Sequence, residues 1–139
     1  MHEKNIVIVE APYSIREKDK TLVVTREVKK EMERHSSHFD YYLIGGGWGG
    51  SLNGKNVLPV SEITQDHLDS SSSIIAGGHW FERWVYRPWR SVGQGEGKMF
   101  ERKFPEDMPQ AEWLRKEYKA LDEWPYKCQS FAVVVDCHN

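Results

Sequence analysis

The sequence predicts an α+β fold, a mainly antiparallel sheet with two main helices packed on one face. Three observations carry that expectation. Apolar, β-branched runs near both ends, "NIVIVEAPY" at 5–13 and "SFAVVVDCHN" at 130–139, have the composition of buried strands. Two stretches between them repeat apolar residues at helical spacing. Short alternating segments in the middle are punctuated by glycines and by Asn53-Gly54. With 139 residues the chain reads as one domain, 1–139, long enough to bury a core without disulfide or metal staples.

The elements follow in order. The first strand ends near Pro12, and "SIREKDK" reads as a charged turn. Val24, Val28 and Met32 are spaced by four, which predicts a helix over 24–36 with Thr21 or Thr25 as its cap. "DYYLI" (40–44) is a strand that runs straight into glycines. Asn53-Gly54 predicts a hairpin within 51–60. "SEITQDHLDSSS" is weakly helical and ends in a loop. Gly77-Gly78 opens "HWFERWVYRPW", where Trp80, Glu82, Trp84 and Tyr86 alternate with His79, Phe81, Arg83, Val85 and Arg87. Pro88 makes the end of that strand an edge. "GQGEG" turns into a second amphipathic strand, "KMFERKF". Pro109 stands where a first helical residue belongs, and Ala111, Leu114, Tyr118 and Leu121 then recur at helical spacing.

Composition narrows the function classes. A formal charge of −2 argues against a general nucleic-acid binder. Cys128 and Cys137 supply no disulfide framework and no CxxC motif. The N-terminal apolar run is too short for a signal peptide or a membrane span, so the expectation is a soluble, cytoplasmic protein. Six tryptophans exceed what a core of this size needs, which assigns one or two to a surface.

Four groups of residues invite chemistry. "GGGWGG" places Gly45, Gly46, Gly47, Trp48 and Gly49 where backbone N–H groups can form an anion-binding nest. The lysine and hydroxyl residue of a Walker loop are absent, and a glycine-rich bulge that folds Trp48 back onto the core explains the pattern equally well. In the second group, Trp80, Arg83, Trp84 and Arg87 join indole and guanidinium, a chemistry that stacks a base and clamps a phosphate. Arginines covering an outer sheet face are the competing reading. In the third, Asp136 and His138 share a strand face, whereas Cys137 points to the other. That parity counts against a Cys137–His138 nucleophilic pair. In the fourth, His35, His38 and Asp40 have the donor types of a divalent metal site, but a solvated helix end is the preferred reading. No cofactor and no metal are expected.

The blocks "YYLIGGGWGG", "GGHWFER" and "VVVDCHN", in this order, resemble small proteins of bacteriophages and their hosts that share a YYxIGGxWxG block and a VDCH-type ending. Their pattern has arginine where this chain has Gly47, a role that would pass to Arg83 or Arg87. The resemblance implies a phage-encoded accessory protein acting in host cytoplasm, and it brings no settled activity.

Together these readings favour an anti-defence binding protein that sequesters a small anionic, nucleotide-like ligand without turnover, with a homo-oligomer compatible. The expected ligand-binding residues are Gly45, Gly46, Gly47, Trp48, Gly49, Trp80, Arg83, Trp84, Arg87, Asp136 and His138. One alternative is an inhibitor that binds a host or defence protein through an aromatic and arginine patch. A small hydrolase using His138, Asp136 or Cys137 is the other.

Overall fold

The computed structural model describes residues 2–12, 16–82, 108–118, 121–123 and 126–139. In chain order the elements are β1 (His2–Pro12), α1 (Glu17–Glu33), β2 (Tyr41–Ile44), β3 (Val57–Pro59), α2 (Gln65–Asp69), β4 (Ser73–Ala76), β5 (His79–Glu82), α3 (Gln110–Glu117), β6 (Leu121–Glu123) and β7 (Tyr126–His138). Short 3-10 turns occupy Ser36–His38, Gly46–Trp48 and Val60–Glu62.

Among the described residues these strands form one seven-stranded sheet organised around β7. One side of β7 pairs with β1 from His2↔His138 to Pro12↔Cys128. Its other side is covered in turn by β2, β3 and β6. Beyond β1 lie β4 and then β5. The β1–β4 pair is parallel and the others are antiparallel, so the α+β class and the mainly antiparallel sheet are as the sequence predicts.

The helices depart from the expected arrangement. The central strands are buried at consecutive positions, Ile6–Val9, Ile74–Ala76 and Phe131–Val135, so both faces need cover. Val24, Val28 and Met32 of α1 pack on Val7, Val9, Ile75, Val133 and Val135. Ala111 and Leu114 of α3, with Leu68 of α2, pack instead on Ile6, Ile8, Ile74, Ala132 and Val134. Since alternate strand residues point to opposite faces, the two main helices lie on opposite sides of the sheet. Each fully buried Val or Met in these clusters contributes roughly 1.5–3 kcal/mol through burial.

Element boundaries shift for local reasons. α1 starts seven residues early, at Glu17, inside the expected charged turn. Asp19 lies in its first turn, where a carboxylate is favourable, and the Lys20 ammonium sits 4.6 Å above the Phe131 ring. Thr21 and Thr25 are therefore interior rather than capping, and the Thr25 hydroxyl donates to the Thr21 carbonyl at 2.7 Å. The Asn53-Gly54 turn forms with φ of 56° and 82°, but its ladder is the single Leu52–Lys55 bridge. α3 ends at Glu117, and Leu121 belongs to β6, which covers the N-terminal end of β7. Strand β4 occupies a stretch, just after the serine run, to which the sequence assigned no element. The expected strand "KMFERKF" lies outside the described residues.

No helix among the described residues is long and apolar enough to cross a membrane.

Candidate functional site

The glycine loop is an excursion from one edge of β7. Both of its ends are held by Val134: the Gly45 N–H donates to the Val134 carbonyl at 2.8 Å, and the Val134 N–H donates to the Asn56 carbonyl at 3.0 Å. Leu52, fully buried, and Trp48, partly buried, anchor the excursion to the core on the α3 side of the sheet.

Its backbone donors are turned inward. Gly47 N–H donates to Asp136 Oδ2 at 2.9 Å, and Gly50 N–H to Asn56 Oδ1 at 2.8 Å. Trp48 N–H reaches the Gly45 carbonyl and Gly49 N–H the Gly46 carbonyl. The expected nest for an external anion is thus corrected: the carboxylate it receives is the chain's own Asp136. Glycine is required at position 46, where φ is 53° and a Cβ would lie 2.5 Å from Asp136 Cβ and Oδ2.

Asp136 organises what lies around it. Its side chain is buried; Oδ2 takes the Gly47 N–H and Oδ1 pairs with His2 Nδ1 at 2.9 Å. The Gly47 hydrogen bond outweighs burial, and His2 and His138 add to it, so the carboxyl is held below its usual range. Opposite His2 in register stands His138, with ring centroids 5.0 Å apart. Tyr41, half exposed, stacks on His138 at 4.7 Å and 10°. Asp40 Oδ2 lies 3.6 Å from His138 Nδ1, beyond hydrogen-bond reach but within ion-pair range. Lys4, opposite Asp136 in register, sends its ammonium to the Ser70 hydroxyl.

The structure therefore brings Gly45, Gly46, Gly47, Trp48, Gly49, Asp136 and His138 together. It does not bring Trp80 to them. β5 and β2 are opposite ends of the sheet path, and Trp80 packs on the α1 face. There its ring is covered by His38, stacked at 4.5 Å and 13°, and touched edge-on by His35 at 5.5 Å. This tryptophan is set apart from the loop for the same reason that the helices separate: the sheet is covered on both sides. Arg83, Trp84 and Arg87 lie outside the described residues.

Cys137 falls on the face opposite His138, as strand parity requires. It is 1% exposed, and burial pushes its thiol up to about 11, which makes it a poor nucleophile. The Asn5 amide, also fully buried on this side, hydrogen-bonds the Cys137 thiol and offsets part of the effect of burial. His35 is buried against Glu31, with Nε2 3.3 Å from Oε1, and Asp40 faces His138 rather than His35. Among the described residues no three His, Cys, Asp or Glu side chains converge to hold a metal ion.

Sequence reasoning missed His2 and the pairing of Asp40. The available signal was parity: His2 shares its strand face with Ile6 and Ile8, so extending β1 backward puts it beside His138 once the terminal strands pair. On the α1 face, a groove of about 550 Å³ lies between α1 and the β2–β3 edge. Val24, Ile44 and Val57 contribute its apolar surface, and Lys20, Lys55 and Asn56 its polar surface.

No protein-family model, curated protein or solved structure matches this chain.

Proposed function

We propose that this protein binds a small anionic, nucleotide-like ligand stoichiometrically, in the groove between α1 and the β2–β3 edge. The observation that supports the reading is the groove itself. Its volume of about 550 Å³ is that of a small-molecule site, and it combines apolar surface with Lys20 and Lys55. A flat heteroaromatic ring suits Val24, Ile44 and Val57, while a phosphate suits the lysines. One carboxylate, Glu62, also lines the groove, leaving the formal balance of these three groups positive.

This seat differs from the glycine nest because the loop's donors already serve Asp136 and Asn56. The phage resemblance adds a setting, an accessory protein that lowers the free concentration of a nucleotide signal in host cytoplasm. A protein contact or a second copy would use another surface, the half-exposed Tyr41 and Leu43 on β2.

Native mass spectrometry of protein purified from cells, followed by titration with mono- and cyclic nucleotides, tests the proposal. One bound nucleotide-like mass per chain is expected. Replacing Lys20 and Lys55 together by alanine should weaken binding about 30-fold, through loss of roughly 1 kcal/mol at each charged contact. Binding unaffected by the double replacement would move the ligand elsewhere, and no binding to any nucleotide would remove the reading.

A further inference from the structure

At the end of β1 and β7, on the face opposite the groove, two Asp–His pairs stand side by side. His2 faces Asp136 at 2.9 Å and His138 faces Asp40 at 3.6 Å, each through Nδ1, and the imidazole centroids are 5.0 Å apart. We propose that this surface is a general acid–base site that cleaves a phosphodiester with a neighbouring hydroxyl, as in a short or cyclic ribonucleotide. The inference goes beyond ligand binding in the groove and does not depend on it.

The roles follow from the hydrogen bonds. An ionised Asp136 only accepts, so the proton between it and His2 belongs to His2 Nδ1. In the neutral ring Nε2, on the other side, then carries the lone pair. The His2 side chain is 51% exposed, so this nitrogen belongs to a ring that substrate can approach. His138 likewise turns Nδ1 to its aspartate. Its Nδ1 is buried and faces Asp40, while 31% of its side chain remains exposed, so its accessible part is the far edge of the ring. An imidazolium there has Asp40 as counter-ion and can donate from Nε2.

The substrate class follows from what surrounds the imidazoles. Neither hydrogen-bonds a Ser, Thr or Cys side chain among the described residues. Cys137 faces the other side of the sheet. Acyl transfer through a protein nucleophile would also need oxyanion donors, and the Gly47 and Gly50 N–H groups are already engaged. A ribonucleotide linkage brings its own nucleophile, the 2′-hydroxyl, and requires only one base and one acid. Tyr41, stacked on His138 and half exposed, offers a flat face to a base.

In the reaction His2 Nε2 takes the proton of the 2′-hydroxyl as that oxygen bonds to phosphorus. The bond from phosphorus to the 5′-oxygen breaks, and the departing oxygen takes a proton from His138 Nε2. The products are a 2′,3′-cyclic phosphate and a 5′-hydroxyl. Proton exchange with water restores both rings. Asp136 and Asp40 are positioning residues in this scheme, because each acts through an imidazole.

The test uses the full-length protein and the dinucleotide uridylyl-(3′→5′)-adenosine, with its 2′-deoxy analogue alongside. The expected result is a 2′,3′-cyclic phosphate product from the ribonucleotide and an intact deoxy analogue. His2→Gln and His138→Gln should each lower turnover at least about 100-fold, the range of general acid–base contributions. Asp40→Asn, at a side chain that is 72% exposed, keeps the fold and should lower kcat about 10-fold with KM unchanged. Absence of cleavage by the unaltered protein overturns the proposal. So does equal cleavage of the deoxy analogue, or turnover that persists in the His2→Gln/His138→Gln double variant. If the histidine variants unfold, an unchanged kcat in Asp40→Asn overturns the acid role of His138.

Discussion

Asp136 accepts the N–H of Gly47 at 2.9 Å and pairs with His2 at 2.9 Å; Glu31 accepts the N–H of Gly78 at 2.8 Å and pairs with His35 at 3.3 Å. Each carboxylate thus closes a glycine turn with one oxygen and engages an imidazole. The surroundings differ. The His35 side chain is 7% exposed, its ring lies against Trp80 and His38, and Arg34 stands 3.6 Å from Glu31. The His2 side chain is 51% exposed and its neighbour is a second imidazole. Around Glu31 the unit ties the end of α1 to the β4–β5 turn, and its imidazole is buried. Around Asp136 it holds the glycine loop with equal economy yet leaves one imidazole edge in solvent. A carboxylate, a glycine and a histidine are therefore structural in one place, and in the other they leave an oriented nitrogen available for chemistry.

The glycines separate the two units most strongly. At Gly46, φ is 53° and a new Cβ would sit 2.5 Å from the Asp136 side chain, which is fixed by two partners. Gly46→Ala should cost roughly 4 kcal/mol, combining about 1–3 for the left-handed backbone with about 1–3 for overpacking. At Gly78, φ is 81°, but the nearest atom to a new Cβ is the end of the Arg34 side chain at 3.2 Å. That guanidinium is mostly exposed and can swing aside, so Gly78→Ala should cost about 1–2 kcal/mol. Urea unfolding of the two variants measures the gap. Equal losses would mean that the loop yields around Asp136 and that the carboxylate does not hold it.

Acid should affect both units in the same direction. The Asp136 carboxyl is lowered first by the Gly47 N–H, then by His2 and His138, against the opposing effect of burial. Burial is the largest influence on Glu31 and raises it, but hydrogen bonds from His35 and Gly78, with the charges of His35 and Arg34, leave it lowered. Folded values below the unfolded ones, near 3.8 for Asp and 4.5 for Glu, give stabilisation that is complete above about pH 4.5. It is lost as pH falls through the folded values. Asp136→Asn and Glu31→Gln should each be less stable than the parent by about 2 kcal/mol at pH 7, the scale of a lost charged hydrogen bond. Both differences should shrink below about pH 4. Thermal melts across pH 2–7 measure this, and a difference independent of pH would mean that neither carboxylate works through its charge.

How much of this was legible in the sequence depends on the length scale of each interaction. Val24, Val28 and Met32 announced the buried stripe of α1, and the β-branched runs announced β1 and β7, because those signals are periodic and local. The start of α1 was missed, since the Lys20–Phe131 contact that accompanies its first turn joins residues far apart in sequence. β4 was missed because Ile74 and Ile75 follow a serine run and are buried by strands from elsewhere in the chain. The same limit governs the site. Gly46 and Gly47 were visible as unusual, and Asp136 and His138 as sharing a face. That Asp136 fills the loop, and that His2 stands beside His138, depends on pairing between the two ends of the chain.

The histidines include the smallest effect on stability, that at His2, and they divide the units in the opposite sense to the glycines. Removing His35 leaves Glu31 short of one partner in a buried place and opens space beneath Trp80. His35→Ala should therefore cost about 2–3 kcal/mol, from an unpaired buried group plus lost packing. His2→Ala removes one half-exposed hydrogen bond, worth about 1 kcal/mol or less, and Asp136 keeps its Gly47 hydrogen bond. Denaturant unfolding of the two variants at pH 7 supplies the comparison. If His2→Ala is the more destabilising, the imidazole at the sheet's end is a fastener like His35, and its open edge has no need of a function. If His35→Ala is the costlier by the expected margin, His2 is held in place without being needed to hold anything else, which is the condition under which an oriented, solvent-facing imidazole can act on a substrate.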